Sequence, residues 1–526
     1  MFNYLKNKRL TKLREAWENP RHWDRDLSSI SALFELTQSE LGKTTVDDKT
    51  WLDLDLNSLF RKIDATMTSV GQQYLYRKLR TLESPDGCLE DDYYVASLLQ
   101  EDQATREKLQ IWIGMLKEGD AKSVTKVLFS NFPVVNFPIL GIALWSLFSV
   151  ITIVFGLVSG GGYLFLILPI LIANFSLARY FERVTDNASY VLPYLYIVIA
   201  VSERLAGLTL EPRIPACMRL KELKKPIRKV RKALKLVSIS QNHESILINN
   251  MMYLINLAFP YDVIAYSLSM KKVISEIDVM RSCFLSIGSL DASISIAAYL
   301  NHHPQTCNPE LTDELVIELQ DAYHPLLEEY VSNSFSTNGR SALITGSNMA
   351  GKTTFIKTIG VNLVLSRTLW ICHADYARFP VVDIFSSIKT ADGLEEGKSF
   401  YFSELERIKQ FLEMAKRGHK CLILIDEIYR GTNTVERIAG SAAVLQELAT
   451  NNLVFVTTHD IELANYLNEQ FDLWYFEETG SRTNPFDYKL RSGVCRTRNA
   501  IKLMENMGYP ESITNIARRF VKDMEL

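Results

Sequence analysis

The chain has 526 residues, enough for two to four domains. Lys and Arg number 58 against 61 Asp and Glu, a formal net charge of −3, with 47% apolar and 23% charged residues. These near-average values exclude wholesale disorder, a collagen-like fibre and a protein held to nucleic acid by bulk positive charge. Seven Cys without a CxxC pair are neither a disulfide framework nor a zinc ribbon, and they favour a reducing compartment.

The first 50 residues are basic and helix-like, with Lys6, Lys8, Arg9, Lys12 and Arg14 and no apolar core of a secretory signal behind them. Such a segment is a solvated helix or a basic amphipathic helix touching a membrane. Between Lys126 and Arg179 no side chain is charged for 52 residues. Residues 138–158 are long enough, at about 1.5 Å per residue, to cross a hydrocarbon core of roughly 30 Å. Ser159-Gly160-Gly161-Gly162 reads as a turn, and a second apolar run, 162–178, is interrupted by Pro169 and Asn174. Lys122 and Lys126 precede the pair, and Arg179 and Arg183 follow it. That charge placement predicts a two-span hairpin, 138–178, in the cell membrane, with both termini cytoplasmic. A buried hairpin in a large soluble core is the plainer alternative. Two later uncharged runs, 188–202 and 245–261, are shorter and read as buried helices of a soluble domain.

Residues 213–235 carry ten basic side chains against one acid, Glu222. Lys224, Lys225, Arg228, Lys229, Arg231 and Lys232 are its densest part and lack i,i+4 acidic partners. They are candidates for binding phosphate, of DNA or of anionic lipid. A solvated helix face is the alternative.

Ser341–Thr345 reads as a buried strand that runs into Gly346-Ser347-Asn348-Met349-Ala350-Gly351-Lys352-Thr353-Thr354 and then a helical pattern. This is GxxxxGK[ST] in its strand–loop–helix setting. The loop's N–H groups and the helix N-terminus suit phosphate. Lys352 suits the β- and γ-phosphates, and the Thr353 hydroxyl suits Mg²⁺. The apolar strand 421–425 ends in Asp426-Glu427, the first placed to hold Mg²⁺ and the second to polarise an attacking water. A third strand, 453–457, leads into Thr458-His459-Asp460, where His459 can meet the γ-phosphate.

Five ordered stretches carry a resemblance. TGSNMAGKTT at 345–354, ADGLEEGKSFYFSELERIKQFL at 391–412, DEIYRGTNTVERIAGSAAVLQEL at 426–448, VFVTTHDIEL at 454–463 and the lead-in DAYHPLLEEYVSN at 321–333 resemble the ATPase domain of the MutS family of mismatch-repair proteins. DYKLRSGVC at 487–495 resembles the approach to that family's dimer-forming helices. The stretches at 54–79 and 288–300 resemble the start and end of its helical core. The resemblance implies an ATPase using ATP and Mg²⁺. Lys352 and Thr353 match the phosphate and magnesium pair, Asp426 and Glu427 the Walker B pair, and His459 the histidine-loop residue. Ser399 matches the signature serine that reaches the ATP of the opposite subunit, and Tyr330 falls where an aromatic stacks on adenine. A homodimer and DNA binding are implied with them.

Departures accompany the likeness. About 50 residues precede the core-like segment, and the family's N-terminal mismatch-reading domain is expected to be missing from them. The usual Ser-aromatic-Gly near the end is replaced by Thr497-Arg498-Asn499. The hairpin interrupts the helical core.

The expected fold is an α/β P-loop ATPase domain, ABC-like with a mostly parallel sheet, joined to an all-α core and lever domain with an inserted transmembrane helical hairpin. The expected parts are a basic helical segment (1–50), the first part of the core (51–130), the hairpin (131–180), the second part of the core (181–320), the ATPase domain (321–485) and a helical dimerisation segment (486–526). The expected function is a membrane-tethered ATPase that couples ATP to dimer closure and DNA binding, in DNA repair or recombination. The alternatives are an ATP-driven membrane scaffold without DNA binding, and a nucleotide-binding module without turnover.

Overall fold

The structure is a computed structural model. It describes residues 2–19, 27–39, 44–83, 88–116, 121–130, 137–159, 164–185, 188–208, 214–240, 246–347, 349–388, 400–416, 418, 420–429, 433–478, 486–494, 501, 504–505 and 508–524. Asn348, Ser399, the 160–162 turn and Thr497-Arg498-Asn499 lie outside these. The chain forms two compact units, one of residues 1–42, 64–77 and 94–301, the other of 43–63, 78–93 and 302–526.

The second unit holds the sheets. Its strands are β1 (Glu310–Thr312), β2 (Glu318–Ala322), β3 (Asn333–Ser336), β4 (Ser341–Thr345), β5 (Tyr376–Pro380), β6 (Asp383–Ser387), β7 (Cys421–Asp426), β8 (Leu453–Thr458), β9 (Phe471–Glu478) and β10 (Phe486–Ser492). Six form one sheet in the order β10-β9-β4-β8-β7-β6, and four form another in the order β1-β5-β2-β3. In the larger sheet every pairing is parallel except that of β10 with β9. Strands β4 and β8 are buried at every position. That is the pattern of a parallel sheet covered on both faces, and it explains their unbroken apolar runs. Helix Lys352–Thr368 follows β4 and is buried along most of its length.

Residues 43–63 pack in this unit, although the sequence pattern placed 51–63 with the helical core. Trp51, Leu54, Leu56, Leu59, Phe60 and Ile63 are all buried. The segment also closes the edge of the larger sheet at β6. Thr50 Oγ1 accepts from Ser386 N at 3.0 Å and Asp53 Oδ2 from Ile388 N at 2.8 Å. An open strand edge leaves such N–H groups unpaired. Asp53 also accepts from Ser386 Oγ at 2.7 Å and Lys49 Nζ at 2.6 Å.

The first unit is helical among the described residues. The N-terminal helix Phe2–Glu18 packs on helix Gln103–Ile113. Arg14 Nε meets Glu107 Oε1 at 2.7 Å, and Arg106 lies 3.6 Å over the Trp17 ring. Helix Ile277–His302 is apolar and long enough to cross a membrane, but it is almost wholly buried and forms the core. From it, Asp291 accepts from Met67 N at 3.0 Å, Thr68 N at 2.9 Å and Thr68 Oγ1 at 2.7 Å. It thereby satisfies donors at the start of helix Ser69–Arg80. Desolvation raises its carboxyl to about 6.

Helix Ile139–Ser159 has 21 residues and is long and apolar enough to cross a membrane. Its side chains are largely outward: Leu140 is 76% and Val158 81% exposed. Helix Ile167–Thr185 follows it. Of the two later uncharged runs, helix Ala188–Leu205 is packed as expected, with Leu192, Leu195, Val198 and Ile199 buried. Helix Ile246–Ala258 corrects the expectation of burial, because Met251, Tyr253, Leu254 and Ile255 are exposed. A hydropathy pattern reports that a segment avoids water and is silent about what covers it.

Candidate functional site

The C-terminal ends of β4, β7 and β8 converge. Because the strands are parallel and adjacent in the order β4-β8-β7, the segments leaving them emerge on one edge of the sheet. Gly346 leaves β4 at φ +139°, and a Cβ there would lie 2.6 Å from the Phe476 carbonyl oxygen, so the turn admits only glycine. Gly351, at φ +106°, is the N-cap of helix Lys352–Thr368. Met349 also has positive φ, +75°, and is exposed. Ala350 is buried and donates from its N–H to the Ser347 carbonyl at 3.4 Å. The ammonium of buried Lys352 lies over the loop and donates to the carbonyls of Gly346 at 2.6 Å and Ser347 at 2.8 Å. Thr354 is exposed at the first turn.

Across from the loop, Thr353 Oγ1 donates to Asp426 Oδ2 at 3.0 Å. Thr457, at the end of β8, donates its hydroxyl to the other carboxylate oxygen, Asp426 Oδ1. One carboxylate and one hydroxyl make a hard oxygen set that suits Mg²⁺, which takes few protein ligands and completes its shell with phosphate and water. Among the described residues no group of three or more His, Cys, Asp and Glu forms a self-sufficient metal cage.

Glu427 is buried and holds a left-handed backbone at φ +55°, as does Tyr429 at +61°. Such conformations cost energy outside glycine and persist where the surroundings impose them. Here Glu427 N donates to the Thr457 carbonyl at 3.0 Å, and Tyr429 N donates to Glu404 Oε1 at 2.6 Å. His459, half exposed, has Nδ1 3.4 Å from Glu427 Oε1. Arg437 grips the adjacent Asp460 with two hydrogen bonds, at 2.9 and 2.8 Å. Thr457, Glu404, Arg437 and Asp460 were not singled out from the sequence. Only Thr457 and Asp460 had a local signal, since they sit beside the His459 stretch.

Tyr330 and the loop residues Ser347, Met349, Gly351, Lys352, Thr353 and Thr354 line one cleft of about 900 Å³, together with Glu427. The Tyr330 ring stacks on Tyr323, with centroids 4.0 Å apart and planes 11° from parallel, and its hydroxyl donates to Gln305 Oε1 at 2.6 Å. Burial raises the Tyr323 phenol to about 12. Behind it, burial lowers His373 to about 3, and on the cleft wall burial lowers His324 to about 4, so both rings are neutral at physiological pH.

In the helical unit the basic candidates share helix Lys224–Ser240. Lys225, Arg228, Lys229 and Lys232 are exposed, and Lys224 and Arg231 are half-buried. Their charges are less unpaired than the local sequence suggests. Arg228 Nε and Arg231 Nη1 both bind Glu203, at 2.9 and 2.6 Å, from helix Ala188–Leu205. The partner lies more than 20 positions away, beyond any i,i+4 window.

The profile described as MutS domain V matches residues 342–525. MutS protein homolog 4 of Mus musculus is 34% identical over 229 residues, covering 40% of this chain and 24% of that protein. DNA mismatch repair protein MutS of Streptococcus uberis is 28% identical over 273 residues, covering 48% and 31%. DNA mismatch repair protein msh3 of Aspergillus fumigatus is 25% identical over 281 residues, covering 50% and 25%. These likenesses support the MutS family for this chain, which spans about a quarter to a third of the length of these curated relatives.

Proposed function

We propose that this MutS-like chain is a Mg²⁺-dependent ATPase whose nucleotide cycle drives closure of a homodimer and contact with DNA, and that the 138–178 hairpin tethers it to a membrane. The observation that carries the ATPase reading is the convergence, in one cleft, of the glycine-bearing loop, Lys352, Thr353, Glu427 and Tyr330. In this reading the adenine stacks on Tyr330. Lys352 exchanges its loop carbonyls for phosphate oxygens. Thr353 and Asp426 hold Mg²⁺, which supplies charge neutralisation on the phosphates. Glu427 accepts a hydrogen bond from the attacking water, and His459 faces the γ-phosphate. Ser399, outside the described residues, completes the site from the partner subunit by family likeness. Homodimer formation has separate support in helix Glu511–Met524, where Ile513, Ile516 and Phe520 expose an apolar stripe at i, i+3, i+7.

DNA as substrate rests on the relatives' names and on the exposed Lys225, Lys229 and Lys232. A second reading replaces DNA by anionic lipid, and the exposed apolar surface of helix Ile139–Ser159 favours it by bringing a bilayer within reach of the same chain. Binding to duplex, mismatched and branched DNA across a salt series separates the two. DNA contact predicts a log–log slope that becomes shallower when Lys225, Lys229 and Lys232 are reversed in charge. Absence of binding at low salt leaves the lipid reading. Alkaline carbonate extraction tests the tether, and release into the soluble fraction removes it.

A further inference from the structure

We infer that helix Ile246–Ala258 is a third membrane-embedded element, a short limb docked on the hairpin, whose outer face is covered by lipid acyl chains. This rests on the membrane reading of the hairpin. The helix has 13 residues and no charged side chain. Its length is about 20 Å, too short to cross a core of roughly 30 Å, so it adds no span. That keeps both termini cytoplasmic.

Four observations carry the inference. First, Met251, Tyr253, Leu254 and Ile255 are exposed, Leu254 by 64%. A surface helix in water turns a polar face outward; this one, apart from exposed Asn250, turns out large apolar side chains. Second, the limb packs on helix Ile167–Thr185, whose own Ile172 and Phe175 are exposed, so the two apolar surfaces are continuous.

Third, the backbone at the end of the limb is satisfied from inside the bundle. The last carbonyls of a helix lack intrahelical donors and need partners from elsewhere. Asn174 Nδ2 donates to the carbonyls of Leu257 at 3.0 Å and Ala258 at 3.2 Å. Asn174 is fully buried, and its Oδ1 accepts from Trp145 Nε1 at 2.7 Å. One amide therefore links both hairpin helices to the limb with its donor and acceptor both used. The Asn that interrupts the second apolar run is the joint of this bundle.

Fourth, the charges lie where headgroups would. Tyr261, three residues past the limb, donates its hydroxyl to the Leu236 carbonyl at 2.8 Å. The limb's end is thereby tied to the last turns of helix Lys224–Ser240, which expose Lys232 and Lys235. A cationic helix beside an uncharged apolar one matches the boundary between anionic headgroups and acyl chains. A second copy of the chain would cover the apolar face but leave this arrangement of cations unexplained.

The test uses the full-length protein in vesicles of phosphatidylcholine and phosphatidylglycerol. The photoreactive residue p-benzoylphenylalanine is placed singly at Leu254, at Met251 as a second limb position, at Leu147 in the hairpin, and at Val435 as an exposed site of the other unit. All four side chains are exposed, so the bulk is tolerated. After illumination, intact mass should rise by one phospholipid for the 254, 251 and 147 probes and not for the 435 probe. Lipid adducts at 147 with none at 254 or 251 would overturn the limb while leaving the hairpin in the membrane. No adduct at any of the three would remove the hairpin reading with it. Cross-linking of the limb probes to a second copy in place of lipid would also overturn the inference, assigning the face to a dimer.

Discussion

Thr457→Val tests the magnesium geometry without touching a proposed ligand. Valine keeps the shape of threonine and removes one hydroxyl. In the structure that hydroxyl donates to Asp426 Oδ1, while Thr353 holds the opposite oxygen at 3.0 Å. The pair fixes the rotation of the carboxylate. A hydrogen bond to a charged group contributes about 1.5–3 kcal/mol. Removing a group that orients a metal ligand commonly lowers metal affinity about 10–100-fold, the same range at about 1.4 kcal/mol per decade. The variant should therefore need about 10–100-fold more Mg²⁺ for half-maximal ATP hydrolysis. Its maximal rate at saturating Mg²⁺ and its affinity for ATP without metal should stay near wild type. The assay is a Mg²⁺ titration of phosphate release, with fluorescent-nucleotide binding in chelator as the control. An unchanged Mg²⁺ midpoint would refute the argument that Thr457 poises Asp426 for the metal.

Other outcomes follow from the packing. Asp53→Ala strips a fully buried carboxylate from Ser386 Oγ and Ile388 N at the β6 edge; at about 1–3 kcal/mol for each donor left unpaired it should cost about 2–6 kcal/mol in denaturant unfolding, and a loss below about 1 kcal/mol would contradict the edge-closing role. The buried histidines predict acid sensitivity of the α/β unit. His373 and His324 are lowered to about 3 and 4, so the folded state binds fewer protons than the unfolded one below about pH 6.5. Their contribution is fully present above that pH and falls by about 1.4 kcal/mol per group per pH unit as pH drops toward the folded values. His373→Gln should flatten the curve between pH 6.5 and 4, and a slope identical to wild type would contradict the assignment.

The sequence pattern carried the loop and the strand ends, and it did so for a physical reason. GxxxxGK[ST], Asp426-Glu427 and His459 each follow a continuous apolar strand, and parallel strands bring their C-terminal ends to one edge. The same logic explains what stayed hidden. Asp53 meets β6 across more than 330 positions, and no local period announces that contact. Glu203 neutralises Arg228 and Arg231 from another helix, so the local charge count overstated their freedom. The run 245–261 looked like a buried helix because hydropathy alone does not separate a protein core from an outward apolar face. Asn174, read as an interruption, is the joint that holds that face in place.

The central claim is that this cleft hydrolyses ATP with Glu427 facing the water. Glu427→Ala is its most direct test, scored by ATP binding and by turnover in one preparation. ATP should remain bound through Lys352, Thr353 and Tyr330 while steady-state hydrolysis falls by about 10²–10⁴-fold, the usual contribution of a general base. Hydrolysis at the wild-type rate would contradict the account.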